Sequence, residues 1–301
     1  MPDPSPRRPG PRVKLTHPDR VYWPDAGVTK QGLADYYAAV WPRIEPHVAS
    51  RPLALLRCPT GIDGPRFFQK HPWKGHGRAI LTPADPAHPD DPPLIAVDSR
   101  AGLAALVQGA ALEVHSWQSS LADLEHPDQI VMDLDPGEGV TWPAMIEAAR
   151  EVRARLEAAG LAAFVKTSGG KGLHVLAPLR PARAAGWTAV KAFTARMARA
   201  MAADAPDRYV ATIAKAKRPG RILVDYLRNG RNNTAVVAYG ARARPGAPVS
   251  MPLAWDDLGP EIGPAHFTVT NAPARIEASP DPWSDFRRAE APLPMARTQR
   301  H

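Results

Sequence analysis

Residues 129–140 read Gln-Ile-Val-Met-Asp-Leu-Asp-Pro-Gly-Glu-Gly-Val, and their pattern decides the fold. An apolar run of strand formers, 130–134, carries Asp133 and leads into Asp135-Pro136-Gly137, a strong turn signal. Side chains alternate along a strand, so Asp133 and Asp135 share one face and Leu134 takes the other. Thr141 then caps a helix whose Met145, Ile146, Ala149, Val152 and Leu156 form one apolar face, with Gly160 as its stop. The implied unit is a helix lying on a sheet, with two carboxylates at one strand end.

The same reading extends in both directions. Upstream, Thr29 caps a helix with Leu33, Tyr36, Tyr37, Val40, Trp41 and Ile44 at helical spacing. A strand at 53–57, a Pro- and Asp-rich surface loop at 83–93, a short helix at 102–108 and a strand at 111–115 follow. Downstream, strands at 161–166 and 173–179 form a hairpin around a glycine-rich loop, a helix covers 184–203, and strands at 221–227 and 234–239 flank the turn Asn229-Gly230. This order predicts an α/β (α+β) fold, a mixed sheet with packed helices and no internal repeat. Of the 301 residues, 44% are hydrophobic, which suits a real core. Pro2, Pro4, Pro6, Pro9 and Pro11 predict a disordered tail over 1–12, one unit of two lobes over 13–285, and a second tail over 286–301.

Two carboxylates crowded together are unfavourable unless a cation or shared proton relieves them, and a hard divalent ion on oxygen ligands does so directly. Read alone, an Asp-x-Asp at a strand end more often caps a turn than binds a metal. Asp225 lies in the strand-forming run Ile222-Leu223-Val224-Asp225-Tyr226, where a carboxylate needs a partner, and it is the candidate third ligand. Between them, Thr167-Ser168-Gly169-Gly170-Lys171-Gly172-Leu173-His174 offers backbone amides, a hydroxyl, an ammonium and an imidazole to an anion. It is no Walker A loop, because no glycine lies five residues before the Gly-Lys pair. Jointly the three stretches describe a two-metal phosphoryl-transfer site.

A net charge of +8 favours a polyanionic partner, although an Arg- and Ala-rich chain is often basic for other reasons. The single cysteine, Cys58, excludes an intramolecular disulfide framework and fits a reducing compartment. The amino terminus has no apolar core of a secretory signal, and no run of about 18 apolar residues occurs. A cytoplasmic, nucleoid-associated protein with no membrane partner is the expectation.

The order Asp-x-Asp, Ser-x-x-x-x-x-His within a glycine loop, then apolar-Asp resembles the three motifs of archaeo-eukaryotic primases. It is most similar to the polymerase domain of bacterial ligase D, through "DLDPGEGV" at 133–140, "TSGGKGLH" at 167–174 and "VDYLRN" at 224–229, over about 13–283. The resemblance implies a primase-like catalytic core with a smaller N-terminal α/β lobe. It implies Asp133, Asp135 and Asp225 as ligands of two ions, Mn²⁺ or Mg²⁺. It assigns Ser168, Lys171, His174, Arg242 and Arg244 to the incoming nucleotide's phosphates or primer, His115 to its sugar or a metal, and Phe68, with Phe67 behind it, to the base. "LTHPDRVYWP" at 15–24 and "VTK" at 28–30 look like the family's pocket for a DNA 5′-phosphate, which places Arg20 and Lys30 there. Arg20 stands where the family pattern favours lysine, and a planar guanidinium changes the fit of that pocket.

The activity so implied is template-dependent addition of NTP or dNTP, with a liking for ribonucleotides, to a primer 3′-hydroxyl at gapped or broken double-stranded DNA in non-homologous end joining, beside Ku and a separate ATP-dependent ligase. A non-catalytic DNA-end or 5′-phosphate binding module is the alternative, against which the retained aspartates, Ser168 and His174 argue. A two-metal nuclease would leave the glycine loop without a use.

Overall fold

Strands and helices alternate along residues 13–294, the part of the chain that the computed structural model describes. The first half comprises β1 (Val21–Trp23), β2 (Val28–Thr29), α1 (Lys30–Val48), β3 (Leu53–Arg57), β4 (Phe67–Gln69), α2 (Arg100–Gln108) and β5 (Ala111–Ser116). The second comprises β6 (Gln129–Pro136), α3 (Trp142–Ala158), β7 (Phe164–Thr167), β8 (Leu173–Pro178), α4 (Trp187–Asp204), β9 (Tyr209–Val210), β10 (Ile222–Asp225), β11 (Ala235–Val236), β12 (Pro252–Leu253) and α5 (Ala272–Ala278). The expected tail over 1–12 lies outside the described residues, as do 295–301.

Two sheets divide the work. One has six strands in the order β12-β7-β8-β6-β10-β9, and the other four in the order β11-β5-β3-β4; β1 and β2 form a separate ribbon. This is the mixed α/β architecture that the strand and helix order predicts. β6 sits inside the larger sheet, antiparallel to both β8 and β10. Its residues 129–134 are buried, because α3 and α4 cover this sheet. Thr29 and Thr141 accept the Gly32 and Ala144 amides as N-caps of α1 and α3. Gly160 has φ 82°, the left-handed conformation expected of a helix stop. Among the described residues no helix is long and apolar enough to cross a membrane.

Three expectations are corrected. β6 continues through Asp135 to Pro136, paired with Leu223 and Ile222, so Asp135 belongs to the strand and the turn begins at Gly137. Asn229-Gly230 is not a hairpin turn, since β10 and β11 belong to different sheets. Asn229 is fully buried, and its carboxamide accepts the Val131 amide while donating to the carbonyls of Val131 and Tyr226. That anchor directs the chain out of the larger sheet, and β11 then pairs with β5 at Ser116 and His115 in the smaller one. Packing also runs past 285. The Phe286 ring stacks on Trp283 at 5.1 Å, Leu293 is buried, and Ala291 bridges to Leu179, because these apolar groups close the core beside Phe164.

Candidate active site

Asp133 and Asp225 are direct cross-strand partners in the β6–β10 ladder, and Asp135 lies opposite Leu223 on the same face. Both Asp133 and Asp225 are buried. Arg228, just beyond β10, reaches Asp133 Oδ2 with Nε at 3.1 Å and Asp225 Oδ2 at 3.6 Å. Arg218 stands 3.7 Å from Asp135. Burial works against the Asp133 charge, but His174 and Arg228 override it and hold that carboxyl well below its ordinary value. Burial, together with the Asp133 charge, pushes Asp135 up to about 6. Burial and Asp133 raise Asp225 as well, against the Leu227 amide that its Oδ1 accepts.

The β7–β8 hairpin faces these acids. In its loop Ser168 Oγ accepts the amides of Gly170 and Gly172, which folds the backbone tightly. A Cβ on Gly172 would collide with the Leu134 carbonyl, so only glycine lets the hairpin lie against β6. Lys171 is exposed at the tip. His174, opposite Asp133 in the β6–β8 register, points Nε2 at Asp133 Oδ1 from 3.2 Å. Burial and the neighbouring Lys166 lower His174 to about 4, so the ring is neutral near pH 7.

The smaller sheet supplies the opposite wall. Phe68, on edge strand β4, is 60% exposed and meets the His115 ring edge-on at 5.7 Å. His115 Nε2 lies 2.7 Å from Glu113, whose other oxygen accepts the Ala243 amide and pairs with Arg242. Burial opposes the Glu113 charge, but the His115 hydrogen bond and Arg242 bring it down to about 2. Arg242 also donates to the Ser168 carbonyl, joining the two walls. Phe67 does not lie behind Phe68. Alternation turns it to the other face, where the Arg57 guanidinium lies 5.3 Å from its ring and 4.1 Å from that of Trp73.

The walls enclose an open cleft of about 940 Å³. Nine of the residues singled out from sequence line it: Phe68, His115, Asp133, Asp135, Ser168, Lys171, His174, Arg242 and Arg244. Asp225 is joined to the cleft through Arg228 and lines a smaller cavity beside it. Arg20 and Lys30 are elsewhere, at the start of α1. There the buried Lys30 donates to the Thr16 carbonyl and Arg20 to that of Pro59, and burial followed by the Arg20 charge lowers the Lys30 ammonium. Sequence reading missed Arg228, Arg218, Glu113 and Lys166. The rule that flagged Asp225, a charge within an apolar strand, applies equally to Glu113 and Lys166.

The donor set suits a hard divalent ion: three carboxylates on one sheet face, two of them with raised pKa, need positive charge. Arg228 and Arg218 supply it in this structure. Among the described residues no three His, Cys, Asp or Glu side chains are gathered closely enough to hold an ion as they stand. The Arg228 side chain, 42% exposed, stands against both Asp133 and Asp225, and its displacement would open the space between them.

A cleft that sets carboxylates against a cationic glycine hairpin can seat a cation and a polyphosphate side by side, as a polymerase-type nucleotidyltransferase requires, and the fold is of that class. Residues 29–283 match the family described as "LigD, primase-polymerase domain", and the chain belongs to that family. It is 40% identical over 279 residues to the multifunctional non-homologous end joining protein LigD of Pseudomonas aeruginosa, covering 91% of this chain and 33% of that protein. Identity to its Mycolicibacterium smegmatis counterpart is 34% over 265 residues, covering 85% of this chain and 34% of that one. The chain therefore spans about a third of the length of these relatives. In structure it is similar to the polymerase domain of Mycobacterium tuberculosis ligase D, solved in complex with DNA, with TM-score 0.84, 32% identity, and coverage of 93% of this chain and 99% of that one.

Proposed function

We propose that this chain adds nucleotides to a primer 3′-hydroxyl opposite a template, at gaps or broken ends of double-stranded DNA bearing a 5′-phosphate, in non-homologous end joining. The observation that carries this reading is the apposition of Asp133 and Asp135 to the Ser168–His174 hairpin on one wall of the cleft. A metal-binding carboxylate set and an anion cradle together exceed what a DNA-end binding module needs. The residues 13–294 act as one unit, since the cleft is built from both sheets.

Each residue has a role in this scheme. Two divalent ions, Mn²⁺ or Mg²⁺, held by Asp133, Asp135 and Asp225 would activate the 3′-hydroxyl and neutralise the leaving pyrophosphate. Ser168 and Lys171 bind the triphosphate, with His174 donating from Nε2 and Arg242 and Arg244 adding positive charge. Phe68 stacks on the base, its exposed ring being free to do so. His115, fixed by Glu113, orients the sugar. Away from the cleft, Arg20 and Lys30 at the amino end of α1 take the downstream 5′-phosphate, where the helix dipole adds to their charge. A ribonucleotide preference, partnership with Ku and a ligase, and work at the nucleoid complete the proposal; they rest on the family likeness and on the basic charge.

Primer extension on a short 5′-phosphorylated gap tests this, comparing NTP with dNTP and Mn²⁺ with Mg²⁺. Template-directed addition favouring NTP is expected. DNA binding without any addition, under every metal and nucleotide, would instead establish the binding-module reading.

A further inference from the structure

Lys166 lies on β7, is 1% exposed, and takes no part in the scheme above. Its ammonium is 3.0 Å from His174 Nδ1, 3.1 Å from the Val236 carbonyl and 2.6 Å from Ser250 Oγ. Ser250 donates its own hydrogen to the Thr167 carbonyl at 2.8 Å, so towards Lys166 its oxygen can only accept. A carbonyl accepts always. An ammonium has three hydrogens, and these are its three partners.

On the other side of the His174 ring, Asp133 holds its negative charge, and its Oδ1 lies 3.2 Å from Nε2, which must therefore carry the hydrogen. Where the imidazole is neutral it carries one hydrogen only, and Nδ1 is then bare and accepts from a Lys166 ammonium. Two assignments satisfy every atom in the chain from Ser250 to Asp133, an ammonium facing a bare Nδ1 and a neutral amine accepting from the Nδ1–H of an imidazolium, and in both of them Nε2 carries a hydrogen. A neutral amine beside a neutral ring would leave one of the three acceptors without a hydrogen, or would set a bare Nε2 against the Asp133 carboxylate. Burial and the Arg242 charge pull the lysine well below its ordinary value while Asp133 supports its charge, and the hydrogen between Nζ and Nδ1 can sit on either atom without moving the one on Nε2.

We infer that Lys166 is a positioning residue that fixes the tautomer and ring orientation of His174, keeping its Nε2–H directed into the cleft whatever Asp133 is doing. The role acquires meaning once Asp133 is taken up by a cation, because the imidazole then loses its front partner and is held only from behind. A ring so held presents a ready donor to an anionic oxygen. This rests on the reading of His174 as a contact to the triphosphate. Lys166 also spans the two sheets, since Val236 belongs to β11, so the donor is referenced to the wall that carries His115.

The test separates Lys166 from Asp133. Two-bond ¹H–¹⁵N spectra of histidine-labelled Asp133→Ala protein, with His174 assigned by its loss in a His174→Gln variant, report the tautomer without metal, nucleotide or activity. The expected result is Nε2 protonated and Nδ1 bare even with the Asp133 carboxylate gone, and mixed tautomers in Asp133→Ala/Lys166→Met. In the otherwise unmutated chain, Lys166→Met should weaken ATP binding about tenfold, roughly one charge-assisted hydrogen bond, and leave the affinity for a 5′-phosphorylated gap unchanged. Nδ1–H or mixed tautomers in Asp133→Ala alone would overturn the inference, and this spectrum decides even if the lysine variants fail to fold. If the spectra agree but the unmutated protein binds no nucleotide, the Lys166–His174 link stands and the nucleotide reading fails.

Discussion

Asp133 and Asp225 face each other directly across the β6–β10 ladder, and the single Arg228 guanidinium contacts both carboxylates, at 3.1 and 3.6 Å. Two buried like charges are tolerated only with a compensating cation, and here a side chain that is partly exposed provides it. The same carboxylates can therefore be served by Arg228 or by divalent ions.

Replacing Arg228 by Met removes that compensation. Without divalent ions the variant should be less stable than the unmutated chain by about 1–3 kcal/mol in urea unfolding. Saturating Mn²⁺ should recover more stability in the variant than in the unmutated chain, since ion binding to the folded state alone adds RT ln(1 + [L]/Kd). An equal Mn²⁺ response in both would mean that Arg228 and the ion do not serve the same carboxylates.

Asp135 gives the site a pH signature. Its folded pKa, about 6, lies above the ordinary carboxyl value of 3.8, so its contribution to stability is fully present below about pH 4 and is lost as pH rises through 6. Without divalent ions, stability measured from pH 4 to 6.5 should fall more steeply for the unmutated protein than for Asp135→Asn. The Asp133 effect has the opposite sign and belongs to lower pH, because its folded value is depressed. Parallel curves for the two proteins would remove Asp135 from the account.

Phe68→Ala should leave the unfolding midpoint within experimental scatter, because the ring is 60% exposed. The KM for the incoming nucleotide should rise about tenfold, in keeping with about 1–3 kcal/mol for base stacking on an aromatic ring. Unchanged KM in steady-state primer extension would leave the ring without a partner.

At the amino end of α1, Lys30→Ala and Arg20→Ala should each reduce the preference for phosphorylated over unphosphorylated gaps. The salt slope of binding should fall by roughly one for each phosphate that is no longer neutralised. Fluorescence anisotropy across a salt series measures both quantities, and equal affinity of the unmutated protein for the two gaps would rule this pocket out.

The parts of the site that were legible in sequence are those governed by local rules. Alternation placed Asp133 and Asp135 on one face, a threonine cap and apolar spacing located α1 and α3, and a glycine-rich loop between strand formers marked the β7–β8 hairpin. Pairings distant in sequence were not legible. Asn229-Gly230 has the composition of a hairpin turn, yet the Asn229 side chain is consumed by the Val131 backbone 98 residues away, and the chain leaves for another sheet. Arg228 and Lys166 draw partners from distant strands in the same way, Asp133 for the one and Val236 for the other, whereas Glu113, a charge within an apolar strand and bonded to His115 two residues on, was open to the rule that flagged Asp225. Phe67 and Phe68 are both exposed because β4 is an edge strand, and alternation along it turns Phe67 to the other face instead of behind Phe68.

The central claim is that the aspartates on β6 and β10 carry out nucleotide addition and do not merely hold the fold. Single-turnover primer extension by Asp133→Ala, on a 5′-phosphorylated gap with NTP and Mn²⁺, tests it most directly when DNA affinity is measured on the same sample. Loss of addition by on the order of a thousandfold or more, with gap affinity kept within about twofold, is the predicted result. Extension at the unmutated rate would contradict it.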